Sequence, residues 1–270
     1  MKIHAAIFIA LISLCILIPF AKPQEDAKIF YEKGQDKIKS ADYEGAADSF
    51  REARSIDETN LDAWYGEGLS YYKMGRYEES DEICDQILRD PTFETIGLDK
   101  FAVLAGDSAT SYERVNGKPL VDAGEENGRK MPEGYNKGIK YYDEAIKINP
   151  NSTVAWNNKG IALAELGNYT GSIFCFEKAI KINSSLALAY NNKGASLDNM
   201  GNHNQALEYY ENATSQDPLL AEAWYNKAKT LALDLNLISE ARDSYKKAIV
   251  LNPALKGEQL TWLYVDIEAK

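Results

Sequence analysis

Residues 153–220 repeat themselves at an interval of 34 residues. Trp156-Asn157-Asn158-Lys159-Gly160 returns as Tyr190-Asn191-Asn192-Lys193-Gly194. Gly167-Asn168-Tyr169 returns as Gly201-Asn202-His203, Phe176 as Tyr210 and Ala179 as Ala213, and Trp224 follows Tyr190 by the same 34. A fixed period of roughly 20–50 residues means that each repeat is one supersecondary unit, unable to bury its apolar face alone and stacked on its neighbours. Such a chain is confined to a quasi-one-dimensional architecture.

The same landmarks mark out the rest of the chain. The first unit, 27–60, carries Phe30 and Gly34, then Tyr43, Ala46, Phe50 and Ala53. The second, 61–94, carries Trp64, Gly68, Tyr71, Gly75 and Tyr77, but Ser80, Cys84 and Ile87 replace the usual small and aromatic residues. Residues 95–152 form an interrupted third unit with a first helix expected over 97–115, a second over 135–149, and an insertion at 116–134 rich in Gly and Pro. Units four (153–186) and five (187–220) are the regular pair. In the sixth, 221–254, Ala241, Tyr245, Ala248 and Pro253 arrive one residue late, which places an extra residue in the inter-helix turn near Leu235–Leu237. Residues 255–270 read as a capping helix with Leu260, Trp262, Leu263 and Ile267 available for packing.

Each landmark has a packing reason. Gly34, Gly160 and Gly194 sit where two helices approach closely, as do Ala145, Ala179, Ala213 and Ala248 on the second helices. Trp156, Tyr190, Trp224, Phe176 and Tyr210 are expected to fill the spaces between units. Gly75, Gly167 and Gly201 suit a left-handed helix cap, and Pro150, Pro218 and Pro253 stop the second helices.

Taken as a set, these residues resemble the tetratricopeptide repeat family over nearly everything from Ala27 to Lys270. The resemblance implies an all-α, right-handed superhelical solenoid of about six helix-turn-helix units with a C-terminal cap, whose first helices line an inner groove. On that groove it places Tyr31, Gln35, Asp62, Tyr65, Leu69 and Tyr72 in the N-terminal half. In the C-terminal half it places Asn157, Ile161, Leu188, Asn191, Asp198, Tyr225 and Lys229. Asn158, Asn192 and Asn226 form an in-phase ladder beside it, either consensus or part of a partner site, and Lys159, Lys193 and Lys227 read as a solvated stripe. Chaperone-binding members carry a carboxylate clamp. The matching positions here hold Asn157 and Ile161, then Asn192, then Glu222 and Asn226; only Asn192 fits, and Glu222 would repel a terminal carboxylate.

The net charge of −11 is concentrated towards the N-terminus, with 22 acidic against 11 basic residues between Pro23 and Val115. That balance disfavours nucleic acid and anionic membrane surfaces. Cys84 and Cys175 fall on second helices of different units, too far apart for a disulfide, and read as small buried hydrophobes. No metal-ligand spacing, phosphate loop or nucleophile elbow is present, and of the two histidines His4 lies in the N-terminal apolar run and His203 at an inter-helix position. No enzymatic activity and no cofactor are expected.

Residues 1–22 combine Lys2 with an apolar run from Ile3 to Ala21, the composition of a secretory signal or of an uncleaved membrane anchor. The chain therefore reads as an extracytoplasmic, non-catalytic scaffold that binds a protein or peptide and meets a membrane only through this segment. An envelope-biogenesis chaperone and an accessory subunit of an envelope- or glycan-modifying enzyme are the alternatives. Four N-x-S/T sequons, at Asn151, Asn168, Asn183 and Asn212, become relevant if the chain is exported.

Overall fold

The computed structural model describes residues 23–93, 97–116, 133–256 and 260–263. The apolar run at 1–22, most of the 116–134 insertion and most of the expected capping helix lie outside the described residues. Within the described residues every regular element is helical, and no helix is long and apolar enough to cross a membrane. The chain divides into two compact units, Met1–Phe93 and Glu94–Lys270.

The N-terminal unit contains α1 (Pro23–Lys39), α2 (Tyr43–Ile56), α3 (Leu61–Lys73) and α4 (Tyr77–Arg89). The C-terminal unit contains α5 (Asp99–Asn116), α6 (Glu133–Ile148), α7 (Thr153–Glu165), α8 (Tyr169–Ile182), α9 (Ala187–Asn199), α10 (His203–Gln216), α11 (Ala221–Lys229) and α12 (Ile238–Leu251). In each unit a helix packs on the helix before and after it. The first helices of successive repeats also touch, so that α5, α7, α9 and α11 form one continuous row.

Local sequence starts and stops these helices. Asp42, Asn60, Ser152 and Asn168 each accept a hydrogen bond from the backbone N–H three residues on and so cap α2, α3, α7 and α8. Two residues before the second helices α4, α8 and α10 the backbone turns left-handed, at Gly75, Gly167 and Gly201 as expected. In the first repeat Ala41 takes that conformation (φ 59°), and in the last Asn236 does (φ 55°). Trp64, Trp156 and Trp224 each donate their indole N–H to a carbonyl six residues earlier, on Glu58, Pro150 and Pro218, and so fasten the turn between repeats.

The core is built from aromatic rings laid over glycines. A Cβ on Gly160 would stand 2.5 Å from the Phe176 ring, and one on Gly194 2.8 Å from the Tyr210 ring. Phe176 and Tyr210 are accordingly 1% exposed: each ring lies over the glycine of its own helix pair and also reaches the next repeat, Phe176 beside Asn192 and Ser196 and Tyr210 at Thr230, whereas Trp156, Tyr190 and Trp224 stay half-buried. The interrupted repeat obeys the same rule through Gly106, which lies under Tyr142. Thirty-six residues separate that pair where 16 separate Gly160 from Phe176, and the difference is the insertion.

The extra residue of the last repeat sits earlier than the sequence places it. Thr230–Asp234 winds as a π-helix, with the Leu235 N–H bonded to the Thr230 carbonyl at 3.0 Å. A π-turn accommodates one added residue without ending the helix, so the chain reaches Leu237 already back in register. In the cap, Leu260 and Leu263 are fully buried against Ala228, Leu231, Tyr245 and Ile249, while Trp262 is 45% exposed.

Candidate functional site

Between α7 and α9 lies a groove of roughly 380 Å³. Ile161, Ala164 and Glu165 form one wall, Asn192, Ala195, Ser196 and Asn199 the other, and Tyr169 and Phe176 of α8 contribute apolar surface. Ala195 stands one period after Ile161, and Asn199 one period after Glu165. The repeat therefore places small and apolar groups beside polar ones along the groove, and polar groups make up the larger part of its accessible lining. Of the residues expected here, Ile161 and Asn192 do line the groove. Ala164, Ala195 and Asn199 were not singled out from sequence, although the 34-residue register that carries Ile161 to Ala195 could have found them.

The asparagines are organised as a relay. Asn226 donates to Asn191 Oδ1 (3.0 Å), Asn191 to Asn192 (3.3 Å), Asn192 to Asn157 (3.2 Å) and Asn157 to Asn158 (3.1 Å). Asn158 finally donates to Asp107 Oδ1 (2.8 Å), which also accepts the Tyr142 hydroxyl (2.7 Å). Every bond points the same way, from α11 through α9 and α7 to the carboxylate on α5. Asn157 and Asn191 are 8% and 6% exposed; they join successive repeats, which corrects their reading as contacts for a partner. Asn158, Asn192 and Asn226 remain half-buried, but each spends an amide proton on the relay. Buried polar groups need such partners, because leaving one unmade costs about 1–3 kcal/mol.

The expected stripe of solvated lysines is also corrected. Lys159 pairs with Asp143, Lys193 with Glu177 at 2.7 Å and Lys227 with Glu211 at 3.0 Å, each 16 residues back on the preceding second helix. Lys193 is 7% exposed. Burial works against its charge, yet hydrogen bonds to Glu177 and the Tyr209 hydroxyl outweigh it and hold the ammonium above its ordinary pKa. In the N-terminal unit the same 16-residue step joins Arg51 to Glu67 at 3.1 Å, with the charges exchanged. Glu67 is 1% exposed, and Arg54 lies 3.0 Å from its other oxygen.

The N-terminal candidates share faces. Tyr65, Leu69 and Tyr72 follow one another at helical spacing along α3 and are half-buried. On α1, Gln35 donates to the Tyr31 hydroxyl (2.8 Å) and the Tyr31 ring packs on Phe50 at 5.7 Å. Burial and the nearby Asp62 raise the Tyr31 pKa, so its hydroxyl stays protonated and able to donate. Asp62 is exposed, as is Leu188 on α9. Tyr225 packs on Tyr245 at 6.2 Å and Lys229 is half-buried. Cys84 and Cys175 are buried and neither is in a disulfide; burial pushes the Cys175 thiol up to about 11, which keeps it from acting as a thiolate nucleophile. The surfaces on offer thus combine amides, hydroxyls and a carboxylate with aromatic and small apolar side chains, suited to gripping a polypeptide through its backbone and side chains.

Comparison with known proteins agrees with this geometry. The tetratricopeptide repeat matches at residues 31–92, 153–186, 187–218 and 221–255. A TPR repeat-containing protein of Methanocaldococcus jannaschii is 28% identical over 140 residues, which are 52% of this chain and 22% of that protein. Hsp70-Hsp90 organizing protein 3 of Arabidopsis thaliana is 26% identical over half of this chain and a third of its own length. The chain thus spans a third or less of the curated relatives it matches.

Among solved structures, a thermophilic TPR protein of Thermus thermophilus superposes with a TM-score of 0.58 at 16% identity, over 77% of this chain and 100% of that one. YrrB, described as a TPR protein with an unusual peptide-binding site, gives 0.52 at 21% identity, over 75% and 92%. These likenesses show the fold. The matched segments cover more than half of the residues and coincide with the helix pairs of the structure: the chain belongs to the tetratricopeptide repeat family.

Proposed function

We propose that the chain is a non-catalytic scaffold for protein–protein interaction that holds a segment of a partner polypeptide in the groove between α7 and α9. The groove itself carries the reading. It is open, and more of its accessible lining is polar than apolar: Glu165, Asn192, Ser196 and Asn199 can meet backbone amides, while Ile161, Ala164 and Ala195 leave room for side chains. The relay and the ion pairs hold its walls before anything binds, so the ordering cost of binding falls on the partner. The clamp positions do not favour a terminal carboxylate, since Glu222 stands where a cation is needed. An internal segment that offers its backbone amides and polar side chains to the groove is the better fit.

Site-specific photocrosslinking in the native cell tests this. A benzophenone amino acid at Ala195 is expected to trap one or a few partner proteins that the same group at Glu208, exposed on α10, does not trap. Equal adduct patterns from both positions would sink the reading. We infer further, from the apolar composition of residues 1–22, that the scaffold works outside the cytoplasm. Protease accessibility of the chain in intact, outer-permeabilised cells checks that part.

A further inference from the structure

Two departures from the repeat pattern meet at one place. His203, the first residue of α10, stands where Tyr43, Tyr77 and Tyr169 stand in other repeats. The π-turn Thr230–Asp234 carries the extra residue of the last repeat. In an α-helix each residue rotates the next by about 100°, so one added residue re-aims the side chains beyond it, and here it brings Asp234 to His203. The histidine Nδ1 lies 2.7 Å from Asp198 Oδ1 and 3.7 Å from Asp234 Oδ2. One ligand atom from each of the three residues falls within 4.8 Å of the others.

We propose that Asp198, His203 and Asp234 bind a divalent transition-metal ion of the zinc class. A tetrahedral zinc with nitrogen and carboxylate ligands at about 2.0–2.2 Å sets those atoms roughly 3.5 Å apart, so side-chain adjustments of about an ångström or less convert the observed triangle into a ligand set. The metal takes the Nδ1 lone pair once the proton shared with Asp198 has left. The Thr230 hydroxyl donates to Asp198 Oδ2 at 3.0 Å and leaves Oδ1 towards the metal, the outer-shell support that ligating carboxylates require. One imidazole with two carboxylates favours zinc over manganese, and the nitrogen donor disfavours magnesium and calcium, which select all-oxygen sites. Three protein ligands leave a fourth position for water or a partner's side chain. Because the ligands come from α9, α10 and the end of the α11 segment, the ion would also fasten the fifth repeat to the sixth.

The test uses the full chain, stripped with chelator and titrated calorimetrically with zinc chloride, manganese chloride and magnesium chloride. Saturable one-site zinc binding is expected, with manganese weaker and magnesium silent, and with a rise in Tm on zinc addition. His203→Tyr, which installs the residue other repeats use, and Asp234→Asn, at an exposed position, should each weaken zinc binding at least tenfold and abolish the Tm rise, while metal-free Tm stays near wild type. Thr230→Val should weaken it less. Zinc affinity unchanged in both His203→Tyr and Asp234→Asn, or no saturable binding by the wild type, would overturn the proposal.

Discussion

The two units write one inter-repeat ion pair with opposite signs. In the C-terminal unit the first helix supplies lysine and the preceding second helix the carboxylate; in the N-terminal unit the first helix supplies Glu67 and the second helix Arg51. The 16-residue step is the same, so the fold asks for complementary charge at that contact and is indifferent to its direction. The consequences differ, because in each case the first-helix partner is the less exposed one, and Lys193 and Glu67 are buried outright. A buried lysine keeps its long stem among apolar groups and sends its ammonium to an exposed carboxylate, whereas a buried carboxylate has no stem to spare. Glu67 therefore recruits a second cation, Arg54, which also stacks on Trp64 at 3.9 Å.

The largest effect should come from removing that support. Arg51→Met with Arg54→Met leaves Glu67 buried without a countercharge and should cost about 3–5 kcal/mol, read as loss of amide-exchange protection in α2 and α3. Adding Glu67→Met should restore most of it. A loss below about 1 kcal/mol in the double variant would show that Glu67 reaches water on its own.

Next come two changes in the C-terminal unit. Gly160→Ala places a methyl 2.5 Å from the Phe176 ring and should cost about 1–3 kcal/mol through overpacking; larger side chains should cost more. Asp107→Ala removes the acceptor at the end of the relay and leaves both Asn158 and the buried Tyr142 hydroxyl without it, again about 1–3 kcal/mol. Urea denaturation checks both. If Asp107→Ala were neutral, the relay would be an arrangement without energetic weight.

How much of this could be read from sequence depends on the range of the interaction. The 34-residue period, the left-handed caps at Gly75, Gly167 and Gly201 and the glycine-over-aromatic packing are short-range demands, and each leaves a residue-type signature. The relay was legible only as a row of asparagines, because its direction depends on which amide of each pair faces the next repeat. The lysines looked solvated because the sequence shows a residue but not the helix lying over it. Their constant separation of 16 from Asp143, Glu177 and Glu211 was nevertheless present and would have revealed the pairing. The π-turn left only a late arrival of Ala241, and its position came from the backbone.

Acid sharpens the contrast between the units. Burial pushes the Glu67 carboxyl above its ordinary value near 4.5, against the pull of Arg54 and Arg51. Arg54 approaches one oxygen closely but is not aligned to hydrogen-bond it, so pairing does not offset desolvation. With the folded pKa above the unfolded one, the native state holds more protons between the two values, and stability falls as pH rises through that window. Relative to Glu67→Gln, the wild type should lose stability as pH climbs from about 4.5. A flat difference between the two proteins would mean that the arginines fully compensate burial.

The smallest effect should come from the mirror of the first experiment. Lys193→Met keeps most of the apolar stem and removes the ammonium, whose side chain is 9% exposed, from a Glu177 that is 54% exposed. The abandoned carboxylate swings into water, so nothing is left buried and unpaired, and the Tyr209 hydroxyl, on a half-buried residue, can find solvent. The cost should stay below about 1 kcal/mol. The deficit should shrink further in about 1 M salt, where charges are screened beyond about 3 Å; urea midpoints at low and high salt measure both. A cost near that of the Arg51 and Arg54 double variant would mean that the ammonium is as indispensable as the arginines. The direction of the pair would then carry no energetic consequence, and the asymmetry between the units would reduce to sequence drift.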